Sequence, residues 1–288
     1  MQLDIFEHSR DVTLRNAVVE ALRRRDAAAA AGAIAELTAE YGDDSMLPAF
    51  HLLREKLLLP VHGPLSWDSA AEIARVTELV TAPASGVFGR EADAWLAPFW
   101  VDLAAAIRAL PFDPRREELH AAPMLLRAGE WEQARACVHA IESWRRQPAP
   151  LQWEIVATAR IAGLDPVWPF LAELAWMAPE RAAALADSLG LPELTALMRT
   201  FDREFEGEGT ADDFAWFPAW TLVAHPRLAR HFQQAQTGAR SPPERCAQLL
   251  MHLLALERQG RHNELVAARK GLRDAHSMLF ARYMDSRS

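Results

Sequence analysis

Glu117-Glu118-Leu119-His120 sets a carboxylate and an imidazole three residues apart. On a helix, that spacing puts both groups on one face, as in helical di-iron sites. Such a site needs a second E-x-x-H and two further carboxylates, and the sequence offers no second copy. Glu117 and His120 are therefore the only nameable ligands for a metal- or cofactor-binding helical enzyme. The remaining histidines are scattered. His225 and His231 flank Pro226 at a spacing that does not stack on one helix face, and His252 and His262 lie on opposite sides of Gly260. Cys137 and His139, two apart, point to different faces. Phosphate-cradling Gly-rich loops, H-E-x-x-H and G-x-S-x-G are all absent. The expectation is no catalytic residue, no metal and no cofactor.

Tryptophan is a second chemical feature. There are 10 of them against 2 tyrosines, and "DDFAWFPAWTLVAHP" is dense in aromatics beside an acidic stretch. Core filling is the plain reading. An interaction surface around Trp216 and Trp220 is the sharper one, since Trp is favoured where proteins meet. A subunit interface is a variant of the same idea.

Helices must position these groups. "DVTLRNAVVEALRRR" places Leu14, Val18, Ala21 and Leu22 on one stripe with Asp11 as cap. The next stretch aligns Ala30, Ile34 and Leu37 behind Asp26 and stops at Gly42. Helical patterns continue over residues 46–59, 67–80, 91–110, 115–128, 130–146, 151–162, 166–177, 179–189, 192–205, 226–236, 243–259 and 261–284. Pro166, Pro179, Pro192, Pro226 and Pro243 fall where helices begin. Pro98 and Pro123 predict breaks or kinks. No alternating strand pattern is present, so the fold class expected is all-α. Residues 204–214, rich in Gly, Glu and Asp, read as a mobile, solvated loop.

Composition narrows the function classes. The chain has 288 residues, 50% hydrophobic and 24% charged, with a net charge of -8. That hydrophobic share supports a large core. The acidic balance argues against direct nucleic-acid binding, which asks for a basic face. Arg23–Arg25 and the Arg145-Arg146 pair read as solvated helix ends. Lys56 and Lys270 are the only lysines, an Arg bias that suits a GC-rich bacterial genome. Cys137 and Cys246 suit a reducing cytoplasm. The sequence shows neither a leader pattern nor a membrane-spanning run, so a cytoplasmic protein is expected.

Residues 124–142, "MLLRAGEWEQARACVHAIE", join two helical stretches. Gly129 closes the first, Trp131 packs across the turn, and Ala134, Val138 and Ile141 follow at helical spacing. This resembles the hairpin junction of tetratricopeptide repeats. Two weaker matches keep Gly260 at the turn with Leu265 where Ala is usual, or put Arg25 in place of Gly. The resemblance implies an irregular α-solenoid of tetratricopeptide-like hairpins that binds proteins or peptides. The resemblance covers about a third of the chain; residues 11–288 are expected to form one helical-repeat domain, with subdivision near residue 63 and at 204–214, behind a peptide of residues 1–10. Gln2-Leu3-Asp4-Ile5-Phe6 resembles the pentapeptide by which bacterial replication and repair proteins bind the sliding clamp. There Gln2 would hydrogen-bond, Ile5 and Phe6 would fill an apolar pocket, and Leu3 would pack alongside. The same apolar residues would also serve as a hydrophobic staple on the first helix. The function expected is a non-enzymatic protein-binding scaffold.

Overall fold

A chain with apolar residues at helical spacing and proline at helix starts can bury its backbone polar groups only as packed helices. The computed structural model describes residues 3–238 and 241–287, with the backbone alone for residues 3–9 and His262. Among the described residues it is helical throughout, without strands. In order the helices are α1 (Leu3–Arg23), α2 (Ala27–Glu40), α3 (Leu47–Leu57), α4 (Trp67–Leu79), α5 (Thr81–Phe88), α6 (Ala92–Ile107), α7 (Ala121–Ala128) and α8 (Trp131–His139). These are followed by α9 (Pro148–Ala162), α10 (Trp168–Met177), α11 (Pro179–Ser188), α12 (Pro192–Glu204), α13 (Phe217–Ala224) and α14 (Ala229–Phe232). The last three are α15 (Pro242–Gln259), α16 (His262–Ala275) and α17 (Ser277–Asp285). None is long and apolar enough to cross a membrane.

Several local readings change. Asp11 lies inside α1 rather than capping it, because the helix already runs from Leu3; its Oδ1 accepts the Val12 N–H and it pairs with Arg15. Asp26 does cap α2, accepting the N–H groups of Ala28 and Ala29. Pro98 sits inside α6 without ending it, whereas Pro123 falls in the first turn of α7. The 261–284 pattern splits at His276, whose Nδ1 caps α17. The acidic loop is exposed but organised. Asp213 accepts the N–H groups of Glu208, Gly209 and Thr210. Any side chain at Gly207 would meet that carboxylate at 2.3 Å.

The chain divides into two compact units, Met1–Ala134 and Arg135–Ser288. In the first, α1 pairs with α2, α2 and α5 with α3, and α6 with α4, α5 and α7. Its core includes Val18, Leu22, Leu37, Phe50, Leu53, Leu103 and Ile107. Two charged side chains are buried there among the described residues, Asp44, which pairs with Arg15, and Lys56. Lys56, 1% exposed, donates to Thr77 Oγ1 at 2.8 Å and holds its Nζ 4.9 Å from the Phe99 ring centre. Burial lowers its pKa to about 8, and the carboxylate of Asp102 pulls the other way. The second unit is built around α13, which packs on α10, α12, α15 and α17. Trp168, Phe201, Phe217, Trp220 and Phe232 fill its centre.

Three helix ends share one geometry. Each C-terminal carbonyl left over by a helix needs a donor, and a residue with positive φ supplies the necessary turn. After α7, Gly129 has φ +78°, its N–H reaches Leu126 O, and Glu130 N–H reaches Leu125 O. After α15, Gly260 has φ +68°, with Arg261 N–H on Leu256 O. After α1, Arg25 takes φ +59°, with Arg25 N–H on Leu22 O and Asp26 N–H on Ala21 O. A non-glycine residue there costs about 1–2 kcal/mol. Helix α6 offsets that cost: Trp95 Nε1 donates to Leu22 O at 2.8 Å, and the Arg25 guanidinium donates to Trp95 O and lies 4.5 Å from the Phe99 ring centre.

Two predictions follow from these positions. Gly32, inside α2, and Gly260 both have open space where a Cβ would go, but only Gly260 has positive φ. Gly32→Ala should therefore gain about 0.5–1 kcal/mol by helix propensity. Gly260→Ala should lose about 1–2 kcal/mol; urea midpoints read both. For Lys56, the unfolded chain between pH 8 and 10.5 still holds a proton that the folded side chain has released. Stability should rise with pH over that window. Lys56→Met should remove this rise relative to the parent and match or exceed the parent's stability at pH 7, since Thr77 Oγ1 keeps its bond to Ile73 O.

Candidate functional site

The E-x-x-H pair does not form a ligand set. Glu117 lies on a 3₁₀ turn over Glu117–Leu119 and not on an α-helix. His120 caps α7, its Nδ1 accepting the Ala122 N–H at 3.2 Å, and burial lowers its pKa to about 4. It serves that cap as a neutral ring. Among the described residues no three His, Cys, Asp or Glu side chains converge as a metal would require. Cys246 is fully buried, and burial raises its thiol pKa to about 11.

The aromatic candidates separate. Trp220 is 1% exposed and packs edge-on to Phe201. It belongs to the core, which removes it from an interaction surface: α13 is ringed by other helices and has no outward face for it. Trp216 is half-buried, 4.4 Å from the His276 ring centre. In the turn region, Ala134 and Val138 are buried within α8, Ile141 is buried just beyond its end, and Trp131 is half-buried. Gln2 and the side chains of Leu3, Asp4, Ile5 and Phe6 lie outside the described residues; the backbone of residues 3–6 is the first turn of α1.

Among the described residues, one cavity in the second unit has a volume of about 560 Å³. Its base is a buried ion pair. Glu173, the lone acid of the apolar helix α10, is 4% exposed. Arg145, on a 3₁₀ turn over Trp144–Arg146, donates Nε to Glu173 Oε2 at 2.9 Å and Nη2 to Oε1. A third donor, the Gln236 N–H, reaches Oε1 at 2.7 Å. The guanidinium lies 4.9 Å from the Phe170 ring centre and also donates to Gln234 O at 3.0 Å. Burial holds the pKa of Glu173 above the ordinary carboxylate value, and its three donors, from Arg145 and Gln236, offset part of that rise.

Glu244, in the first turn of α15, is 5% exposed and accepts the Gly238 N–H. The two carboxylates thus hold the chain entering α15 by its backbone. Ser241 caps α15, accepting the Glu244 N–H at 3.4 Å. Around this base the cavity is lined by Arg146, Trp176, Met177 and Ser241. The indole Nε1–H of Trp176 is buried and has no partner among the described residues. Sequence reasoning passed over Glu173, whose signal was one acid in ten otherwise uncharged residues, "WPFLAELAWM".

Glu173→Ala should leave Arg145 without its carboxylate and the Gln236 N–H without its acceptor, and cost about 3–5 kcal/mol. The double replacement Arg145→Met with Glu173→Leu should cost less than Glu173→Ala alone, by urea denaturation. A double variant that loses at least as much would show that the pair itself, and not the stranded partner, carries the energy.

Compared with known proteins, the chain matches no protein-family model, no curated protein and no solved structure.

Proposed function

We propose that the protein is a non-enzymatic scaffold of tetratricopeptide-like hairpins that binds other proteins in the cytoplasm. The observation that supports this most is the shared turn after α1, α7 and α15, where a positive-φ residue closes one helix before the next begins. All three coincide with the stretches that resemble the repeat junction. Stacked hairpins of this kind expose ridges and grooves that suit protein partners. The absence of catalytic motifs in the sequence agrees with a binding role, as does the acidic charge with a partner other than nucleic acid.

Residues 2–6 supply the recruitment element in this reading, docking on the bacterial sliding clamp. Residues 3–6 form the terminal turn of α1. Docking as an extended peptide requires this turn to unwind, and its carbonyls then give up the N–H groups of the following turn for those of the partner. Titration of purified clamp with the full chain should give micromolar binding. A Leu3→Ala/Phe6→Ala double variant should weaken it by at least tenfold. Equal binding by both proteins, or none by either, removes the clamp from the proposal. Crosslinking of the tagged chain in its native host should return a stoichiometric protein partner. Its absence would count against the scaffold as a whole.

A further inference from the structure

Helix α6 packs one side into the core of the first unit and leaves the other open. Between Ala94 and Ala109 the residues exposed to solvent are Ala94, Pro98, Asp102, Ala105, Arg108 and Ala109. A helix face that stays in water usually carries long charged and polar side chains. This one offers four small apolar residues and a single pair of opposite charges. Asp102 and Arg108 make no ion pair among the described residues. The chain between α3 and α4 walls this face, pinned there by the Leu65 N–H on Ala106 O at 3.1 Å. Val61 and Pro64 from that wall line a groove of about 560 Å³ together with Asp102, Ala105, Arg108 and Ala109. Just before the wall, Leu58 and Leu59 are 53% and 52% exposed.

The placement of the two charges selects the occupant. Arg108 keeps helical backbone, with φ −56° and ψ −28°. Asp102 and Arg108 therefore stand three residues before and after Ala105, about 4.5 Å along the axis to either side. When a second copy is turned end for end about a two-fold axis at Ala105, Arg108 of each copy comes level with Asp102 of the other. Like charges are then about 9 Å apart along the axis. The face is complementary to itself, as an isologous interface requires. We infer that the chain forms a two-fold homodimer in which α6 packs antiparallel on α6 of a second copy. Ala105 meets Ala105 at the axis, and two Asp102–Arg108 pairs cross it. Small side chains let the two helix axes approach to about 8 Å, and the scarcity of charge suits the centre of an interface. The inference is independent of the scaffold reading and of the clamp peptide.

Sedimentation velocity on the full chain, up to about 0.1 mM, tests this over the range where micromolar association shows. The parent should approach twice its mass of 32.1 kDa. Ala105→Glu, a change at an exposed position that sets two carboxylates together at the axis, should weaken self-association by tenfold or more. Arg108→Asp and Asp102→Arg should each do the same, since each opposes like charges twice. An equimolar mixture of those two variants should recover the parental dimer, because in the mixed pair every carboxylate again faces a guanidinium. Asp102 also acts electrostatically on Lys56 and Arg25, so far-UV circular dichroism accompanies each variant. If Asp102→Arg loses helix, Ala105→Glu and Arg108→Asp decide. The inference is overturned if the parent stays monomeric throughout, if Ala105→Glu or Arg108→Asp dimerises as the parent does, or if the two folded charge variants associate no better mixed than apart.

Discussion

A carboxylate removed from water needs a donor for each oxygen, and Glu173 meets that requirement by gathering three segments of chain. Arg145 comes from the turn before α9, Glu173 from the middle of α10, and the Gln236 N–H from the chain that enters α15. Without the pair, α10 would bury a bare charge. With it, the irregular segment before α15 is fixed by its own backbone. Glu244 repeats the arrangement two residues further along, on the Gly238 N–H. Position and chemistry of the site thus descend from one electrostatic demand.

The first unit meets a comparable demand with an aromatic ring. Lys56 has a hydroxyl and the face of Phe99 where a surface lysine would have water or a carboxylate. Arg25 shares that ring. One phenyl group on α6 therefore serves a cation from α3 and another from the α1–α2 turn. Cation–π contacts of this kind contribute most when desolvated, up to about 2 kcal/mol each, and Lys56 is fully desolvated.

Much of the architecture was legible. Asp26, Gly129, Gly260 and the prolines at 179, 192 and 243 mark helix ends through local backbone chemistry, which depends only on neighbours in sequence. The all-helical class follows from the same signals. What escaped depends on distant partners. Trp220 and Trp216 read alike as part of an aromatic run, yet one is core and the other half-exposed, because burial is decided by which helices surround α13. Glu117 and His120, the only nameable ligands of the alternative reading, share a face only on an α-helix; that segment is a 3₁₀ turn and His120 is a helix cap. Arg145 and Arg146 read as one solvated pair. Distant residues separate their roles, Glu173 fixing the first and Trp176 sharing a cavity with the second.

The positive φ of Arg25 has a kinetic side. Gly260 can close its turn as soon as α15 forms, because glycine adopts that backbone at no steric cost. Arg25 cannot. Its offsetting contacts, the Trp95 indole on Leu22 O and the guanidinium on Trp95 O, lie 73 and 70 residues along the chain. The α1–α2 corner is therefore uphill until α6 has docked, whereas the α15–α16 corner is favourable from its own sequence. Two hairpins with the same native geometry thus enter the folding reaction at different times: one from local contacts, the other only after a long loop has closed.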